Sequence, residues 1–421
     1  MNKFKKSVLK NGIRVLTEEH PGSRAVSVGI WILSGTRDEE SRVAGISHFL
    51  EHMVFKGTKS RSAYQIAKSL EALGGELNAY TTREYTCYHA IVLKDHLDEA
   101  MDVLADLVCN MKISQKDFKL EQGVILQEIA MSDDNQEDII YDIFFDKVYG
   151  KHPLGRPILG TVKSVAQMTQ KAVVNHYNTI YSAKNIVVSA TGALNHETVI
   201  DLVQKKLGGK KQTAHKQRRR SPKWHPVRFC QDKTGEQVHM LLGFPVGNFS
   251  DELRFESYIV NTLLGGGMTS RLYQSVREKK GLVYSIYSSL HSHTDCGMLV
   301  IYAQTEPKNV KNVGNIVAKE IKKLRTKGVS KAEVEMFKTQ VIGSIMLGSD
   351  DIENRMTSLA VNEMVFGEYK SVESVMAEIQ RVNVDSVNHF IHTYLHPDKA
   401  AGVILGAQAE SLTPWFNSLE F

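Results

Sequence analysis

The feature that most constrains this chain is that its second half repeats its first. Ile113-Ser114 through Glu128 aligns with Val329-Ser330 through Ser344 at a constant offset of 216, so that Ser114 meets Ser330, Asp117 meets Glu333, Leu120 meets Met336 and Glu137 meets Glu353. Later, Val174-Asn175-His176-Tyr177 matches Val387-Asn388-His389-Phe390 at an offset of 213. Amphipathic helices resemble one another, but a near-constant offset held across several elements points to duplication. Each half opens with a strand-like run (Val26–Leu33; Gln237–Phe244), turns on acids (Asp38-Glu39-Glu40; Asp251-Glu252) and later carries an amphipathic helix (Leu97–Met111; Val310–Leu324). Strands mixed with helices, and hairpin-like pairs such as Leu77–Tyr80 with Thr86–Val92, predict an α+β protein of two similar α/β-sandwich halves.

The seam lies near the middle. Gly208-Gly209 ends a helical segment, Lys210, Lys211, Lys216, Arg218, Arg219 and Arg220 follow with no acid among them, and Pro222 and Pro226 precede a new strand pattern. The expected organisation is a half over 1–208, a basic linker over 209–226 and a second half over 227–421. Those six cations outnumber the net charge of +5. With no aromatic interleaving and no recognition fold around them they read as a solvated linker, not a nucleic-acid surface. No apolar run approaches the roughly 18 residues of a membrane span. Met1–Lys6 is basic but lacks the apolar segment and cleavage site of a secretory signal. Cys87, Cys109, Cys230 and Cys296 lie far apart without CxxC spacing, which argues against a disulfide framework or a thiolate metal site. A soluble, cytoplasmic, bacterial-type protein is expected.

Chemistry concentrates in Gly45-Ile46-Ser47-His48-Phe49-Leu50-Glu51-His52-Met53. On a helix, His48 and His52 are one turn apart on one face, so two imidazoles can converge on one ion. Glu51 lies beside them, placed to accept a proton from water; this is the inverted H-x-x-E-H order. With 16 histidines and 47 acids in 421 residues, about 0.07 such motifs arise by chance. A catalytic zinc takes three protein ligands and keeps one position open. Glu121 and Glu128, two turns apart on one helix, are the candidates for the third. In the repeat register they map to Phe337 and Ser344, and His48 and His52 to Leu264 and Met268. The second half keeps the scaffold and lacks every candidate ligand, as expected if these residues serve a site and not the fold.

The run His48–Thr58 (HFLEHMVFKGT), with Glu121 and Glu128 following, resembles the pitrilysin and insulinase metallopeptidases, most of all bacterial relatives of the mitochondrial processing peptidase β subunit. The resemblance spans the chain and implies one Zn²⁺ per chain, bound by His48, His52 and Glu128, with Glu51 as general base and Glu121 orienting a ligand histidine. It implies two halves enclosing a cavity, and substrate contacts at Phe55 and at Asn78 and Ala79 on an edge strand. Arg277 and Tyr284 of the second half would reach the scissile peptide. Asp138 and Asp142 would receive a basic side chain, although the family pattern has Glu where this chain has Asp138. Gly265-Gly266-Gly267 resembles the family's Gly-rich segment and lacks phosphate-loop spacing. A zinc endopeptidase acting on extended or presequence-like peptides follows, working as a homodimer. The alternatives are a non-catalytic assembly subunit, which the complete ligand set opposes, and a hydrolase of non-peptide substrates, which the edge-strand and Arg/Tyr matches oppose.

Overall fold

The structure, a computed structural model, describes residues 3–212 and 219–421; Lys216 and Arg218 of the basic run lie outside them. Six strands, β1 (Lys3–Val8), β2 (Arg14–Glu19), β3 (Ala25–Ile32), β4 (Glu76–Thr81), β5 (Thr86–Leu93) and β6 (Ile186–Gly192), form a sheet of order β1-β2-β6-β3-β5-β4. Five more, β7 (Arg228–Asp232), β8 (Val238–Val246), β9 (Ser285–Ser292), β10 (Gly297–Thr305) and β11 (Ala401–Gly406), form a second of order β7-β11-β8-β10-β9. With β1 removed the two orders are the same, strand for strand. Each contains a single parallel pair, β2 with β6 and β7 with β11.

The helices are α1 (Ile46–Val54), α2 (Ala63–Glu71), α3 (Leu97–Asn110), α4 (Gln115–Asp134), α5 (Gln136–Tyr149), α6 (Val162–Gln167), α7 (Gln170–Ile180), α8 (His196–Leu207), α9 (Arg254–Gly265), α10 (Val310–Lys327), α11 (Lys331–Ser349), α12 (Ile352–Phe366), α13 (Val372–Arg381), α14 (Val384–Tyr394) and α15 (Thr413–Ser418). Duplication is written into their starts: α4 and α11 begin at Gln115 and Lys331, 216 residues apart. Both are entered through a serine, Ser114 Oγ accepting from Asp117 N–H at 3.1 Å and Ser330 Oγ from Glu333 N–H at 3.3 Å. Such caps satisfy N–H groups that a first helical turn leaves unpaired.

Packing departs from chain continuity in one respect. One compact unit comprises Met1–Met131, Arg156–Arg219 and Gly348–Lys370; the other comprises Ser132–Gly155, Arg220–Leu347 and Ser371–Phe421. Helix α5, from the first half of the sequence, thus packs on the second sheet, with Phe144, Phe145 and Val148 against Leu241, Val300 and Val403. Its repeat partner α12 packs on the first sheet, with Met356, Leu359 and Ala360 against Leu16, Trp31, Cys87 and Val187. In the first unit the other face of the sheet is covered by α1 and α3, giving a buried core around Phe49, Leu50, Leu104 and Tyr88. Of the four described cations of the basic run, Lys211 and Arg220 are exposed and the other two are docked. Lys210 Nζ donates to Val108 O at 2.8 Å, and the Arg219 guanidinium grips Asp38 at 2.7 and 2.9 Å, where the little-exposed Asp38 and Glu84 carboxylates need counter-charge. Among the described residues no helix is long and apolar enough to cross a membrane.

Candidate metal centre

Helix α1 projects His48 and His52 from successive turns, with ring centroids 4.6 Å apart. Helix α4 brings Glu128 to them: its Oε2 lies 3.3 Å from His52 Nε2 and 3.8 Å from His48 Nε2. One ligand atom from each residue lies within 4.8 Å of the others. Bonds of about 2.05 Å to a tetrahedral ion put ligand atoms about 3.4 Å apart, so these separations suit zinc.

Glu121, two turns before Glu128 on the same helix face, is fully buried and holds its Oε2 3.1 Å from His52 Nδ1. A carboxylate accepts, so Nδ1 carries the proton and Nε2 turns its lone pair toward Glu128 Oε2. Two acceptors facing each other at 3.3 Å repel unless a metal ion or a further proton sits between them. Glu128 Oε2 is itself buried and has no hydrogen-bond donor among the described residues. The residues present therefore fit a divalent metal. Burial, and then the neighbouring His52, pushes the His48 pKa down to about 4, leaving its imidazole neutral as a metal ligand requires.

Glu51 lies on the same helix, which packs against the end of β4. Burial raises its pKa above the ordinary carboxylate value, with Thr81 and His52 pulling the other way, and its Oε2 is buried without a hydrogen-bond partner among the described residues. An acceptor in that state is suited to receive a proton and release it again. Sequence reasoning missed Lys56, whose Nζ sits 2.7 Å from Glu121 Oε1 and neutralises this buried carboxylate. The signal was available: Lys56 is one turn beyond His52, inside the run that marks the motif.

The remaining expected residues fall as follows. β4 is an edge strand, paired with β5 through Asn78↔His89 and Ala79↔Tyr88. The Ala79 N–H donates to Asn78 Oδ1 at 2.8 Å. Phe55 closes α1 and packs, half-buried, against the core of the first unit. Arg277 belongs to the second unit, on a π-helical turn, with its guanidinium 4.9 Å from the Tyr273 ring centre and 5.4 Å from that of Tyr284, which is 81% exposed. Asp138 and Asp142 lie on α5, also in the second unit; Asp138 accepts from Asn135 Nδ2 at 2.7 Å. Of the second-half equivalents, Leu264 (for His48) and Phe337 (for Glu121) are core side chains, whereas Met268 (for His52) and Ser344 (for Glu128) are exposed.

An H-x-x-E-H helix facing a glutamate-bearing helix, within a duplicated sheet-and-helix fold, is the arrangement of an inverted zincin. Residues 14–162 match the family model described as "Insulinase (Peptidase family M16)", and residues 167–341 that described as "Peptidase M16 inactive domain". The chain belongs to the M16 peptidase family. It is 37% identical to an "uncharacterized zinc protease" of Mycobacterium leprae, covering 97% of this chain and 93% of the relative. A protein of Bacillus subtilis with the same description is 35% identical, covering 95% and 98%. Among solved structures, a protease from Helicobacter pylori superposes with a TM-score of 0.90 at 21% identity, covering 96% of this chain and all of that one.

Proposed function

We propose that this chain is a zinc-dependent endopeptidase that cleaves extended peptides or unfolded, presequence-like segments. The observation that carries the reading is the convergence of His52 Nε2 and Glu128 Oε2, 3.3 Å apart with His48 beside them, which a divalent cation between them would satisfy. Zinc held by His48, His52 and Glu128 would supply Lewis acidity to the scissile carbonyl and make water acidic enough to attack near neutral pH. Glu51 takes the proton of the attacking water at its buried Oε2 and returns it to the leaving amine nitrogen. Glu121 fixes the His52 tautomer. The free edge of β4 accepts the substrate main chain as an added strand, the Ala79 N–H exchanging Asn78 Oδ1 for a peptide carbonyl. Phe55 as a further substrate contact rests on the family resemblance. Arg277 and Tyr284 as substrate contacts, Asp138 and Asp142 as a preference for a basic residue, and a cytoplasmic homodimer rest on the family resemblance.

The test is a chelator-sensitive peptide-cleavage assay with Glu51→Gln. Zinc content should stay at one per chain while cleavage drops by about a thousandfold. Cleavage persisting in that variant removes Glu51 as the base. A wild-type protein that binds zinc and cleaves no peptide favours the non-catalytic reading.

A further inference from the structure

Helix α1 begins without a capping side chain of its own. Its N-cap, Gly45, sits at φ +92°, and the chain there crosses the segment preceding α6. A Cβ on Gly45 would fall 2.5 Å from Leu159 O, and one on Gly160 would fall 2.3 Å from Ala44 O. Neither Ser, Thr, Asp nor Asn fits at the position from which helices are ordinarily capped. The unpaired N–H groups of the first turn are met from upstream instead. Glu39 accepts from Gly45 N–H with one carboxylate oxygen and from Ser47 N–H with the other, each at 2.7 Å. The residue is 5% exposed, and Arg156 donates to its backbone carbonyl at 2.8 Å. His48 is the next residue after Ser47, and His52 follows one turn later. The Glu39 carboxylate thereby fixes where α1 starts and how it is rotated about its axis.

We propose that Glu39 is a positioning residue for His48 and His52, acting through the N-terminus of α1; the proposal rests on the ligand assignment made above. A carboxylate at this place also complements the positive end of the helix dipole. Burial raises its pKa to about 7 against the pull of the Ser47 and Gly45 N–H groups. Glutamine keeps the size but turns an N–H₂ donor against an N–H donor. Aspartate keeps the charge and is one methylene too short to meet both groups.

The experiment compares wild type, Glu39→Gln and Glu39→Asp at pH 8, where Glu39 is ionised. Zn²⁺ affinity is read by competition with a chelating indicator, with kcat and KM on a peptide substrate alongside and a thermal scan to verify folding. For a folded variant the expected results are a zinc dissociation constant raised about tenfold or more, the scale seen when partners that orient ligands are removed, and a fall in kcat with KM within twofold. A folded variant that binds zinc as tightly as wild type overturns the proposal. So does loss of the cooperative transition in both variants, which would assign Glu39 to the fold as a whole. Failure of wild type to bind zinc would instead refute the ligand assignment, and is read in the same titration.

Discussion

Lys56, Glu121 and His52 form a chain in which each member has one electrostatic task. Glu121 is 1% exposed, and a carboxylate buried without a counter-charge is costly. Lys56 supplies that counter-charge at 2.7 Å, and the other carboxylate oxygen accepts from His52 Nδ1. Replacing Lys56 by Met should cost roughly 2 kcal/mol of stability, the pair being part-exposed on the lysine side, and should weaken zinc binding about tenfold. Adding Glu121→Gln to Lys56→Met should return much of the stability, since no unpaired charge is then left buried. Urea denaturation of the double-mutant cycle reads this, and simple additivity would show that the two side chains act independently. The histidines and Glu51 could be found in the sequence because their relation is local, one helical turn. Glu121 and Glu128 could be found because they share a helix face and lose their counterparts in the repeat. Glu39 could not, because its capping role depends on a chain crossing that forbids a side chain at Gly45.

At the scale of elements, the duplicated strand and helix pattern was readable because period and capping chemistry are local. Exchange of α5 and α12 was not. Both helices are apolar enough to cover either sheet, and nothing in their own residues selects one. What selects is a complementary gap. A Cβ on Gly29 of β3 would lie 2.6 Å from the Trp31 ring and 3.3 Å from Met356 of α12. A Cβ on Gly243 of β8 would lie 2.6 Å from Phe144 of α5. Each sheet keeps a glycine under the helix it receives. Gly29→Val should therefore destabilise the protein by about 2–3 kcal/mol through overpacking. Gly123→Ala is the contrasting change: it lies within α4 between the two glutamates, a Cβ there meets nothing, and alanine should stabilise by about 0.5–1 kcal/mol. Chemical denaturation measures both, and a neutral Gly29→Val would show that α12 is not seated by that gap.

At the scale of the whole molecule, the exchange makes the first unit depend on residues 348–370, which lie more than a hundred residues beyond the linker. Met356, Leu359 and Ala360 cover Leu16, Trp31, Cys87 and Val187. Arg355 pairs with the buried Glu18, Glu363 takes Lys6 at 2.6 Å and Arg14 at 3.4 Å, and His89 meets Glu353 at 3.0 Å. At about 1.5–3 kcal/mol per large apolar side chain buried, uncovering Trp31, Leu16, Met356 and Leu359 forfeits roughly 6–12 kcal/mol, comparable to the whole stability of an ordinary domain. Glu18 would lose its arginine as well. A fragment of residues 1–219 holds every proposed zinc ligand and yet should show no cooperative thermal transition and no stoichiometric zinc binding. The same fragment with residues 348–370 joined through a flexible linker should regain both. Calorimetry and zinc titration of the two fragments decide the matter: a cooperative, zinc-binding 1–219 would mean that the metal centre needs only its own half of the sequence, and that α12 is packed against a sheet already stable without it.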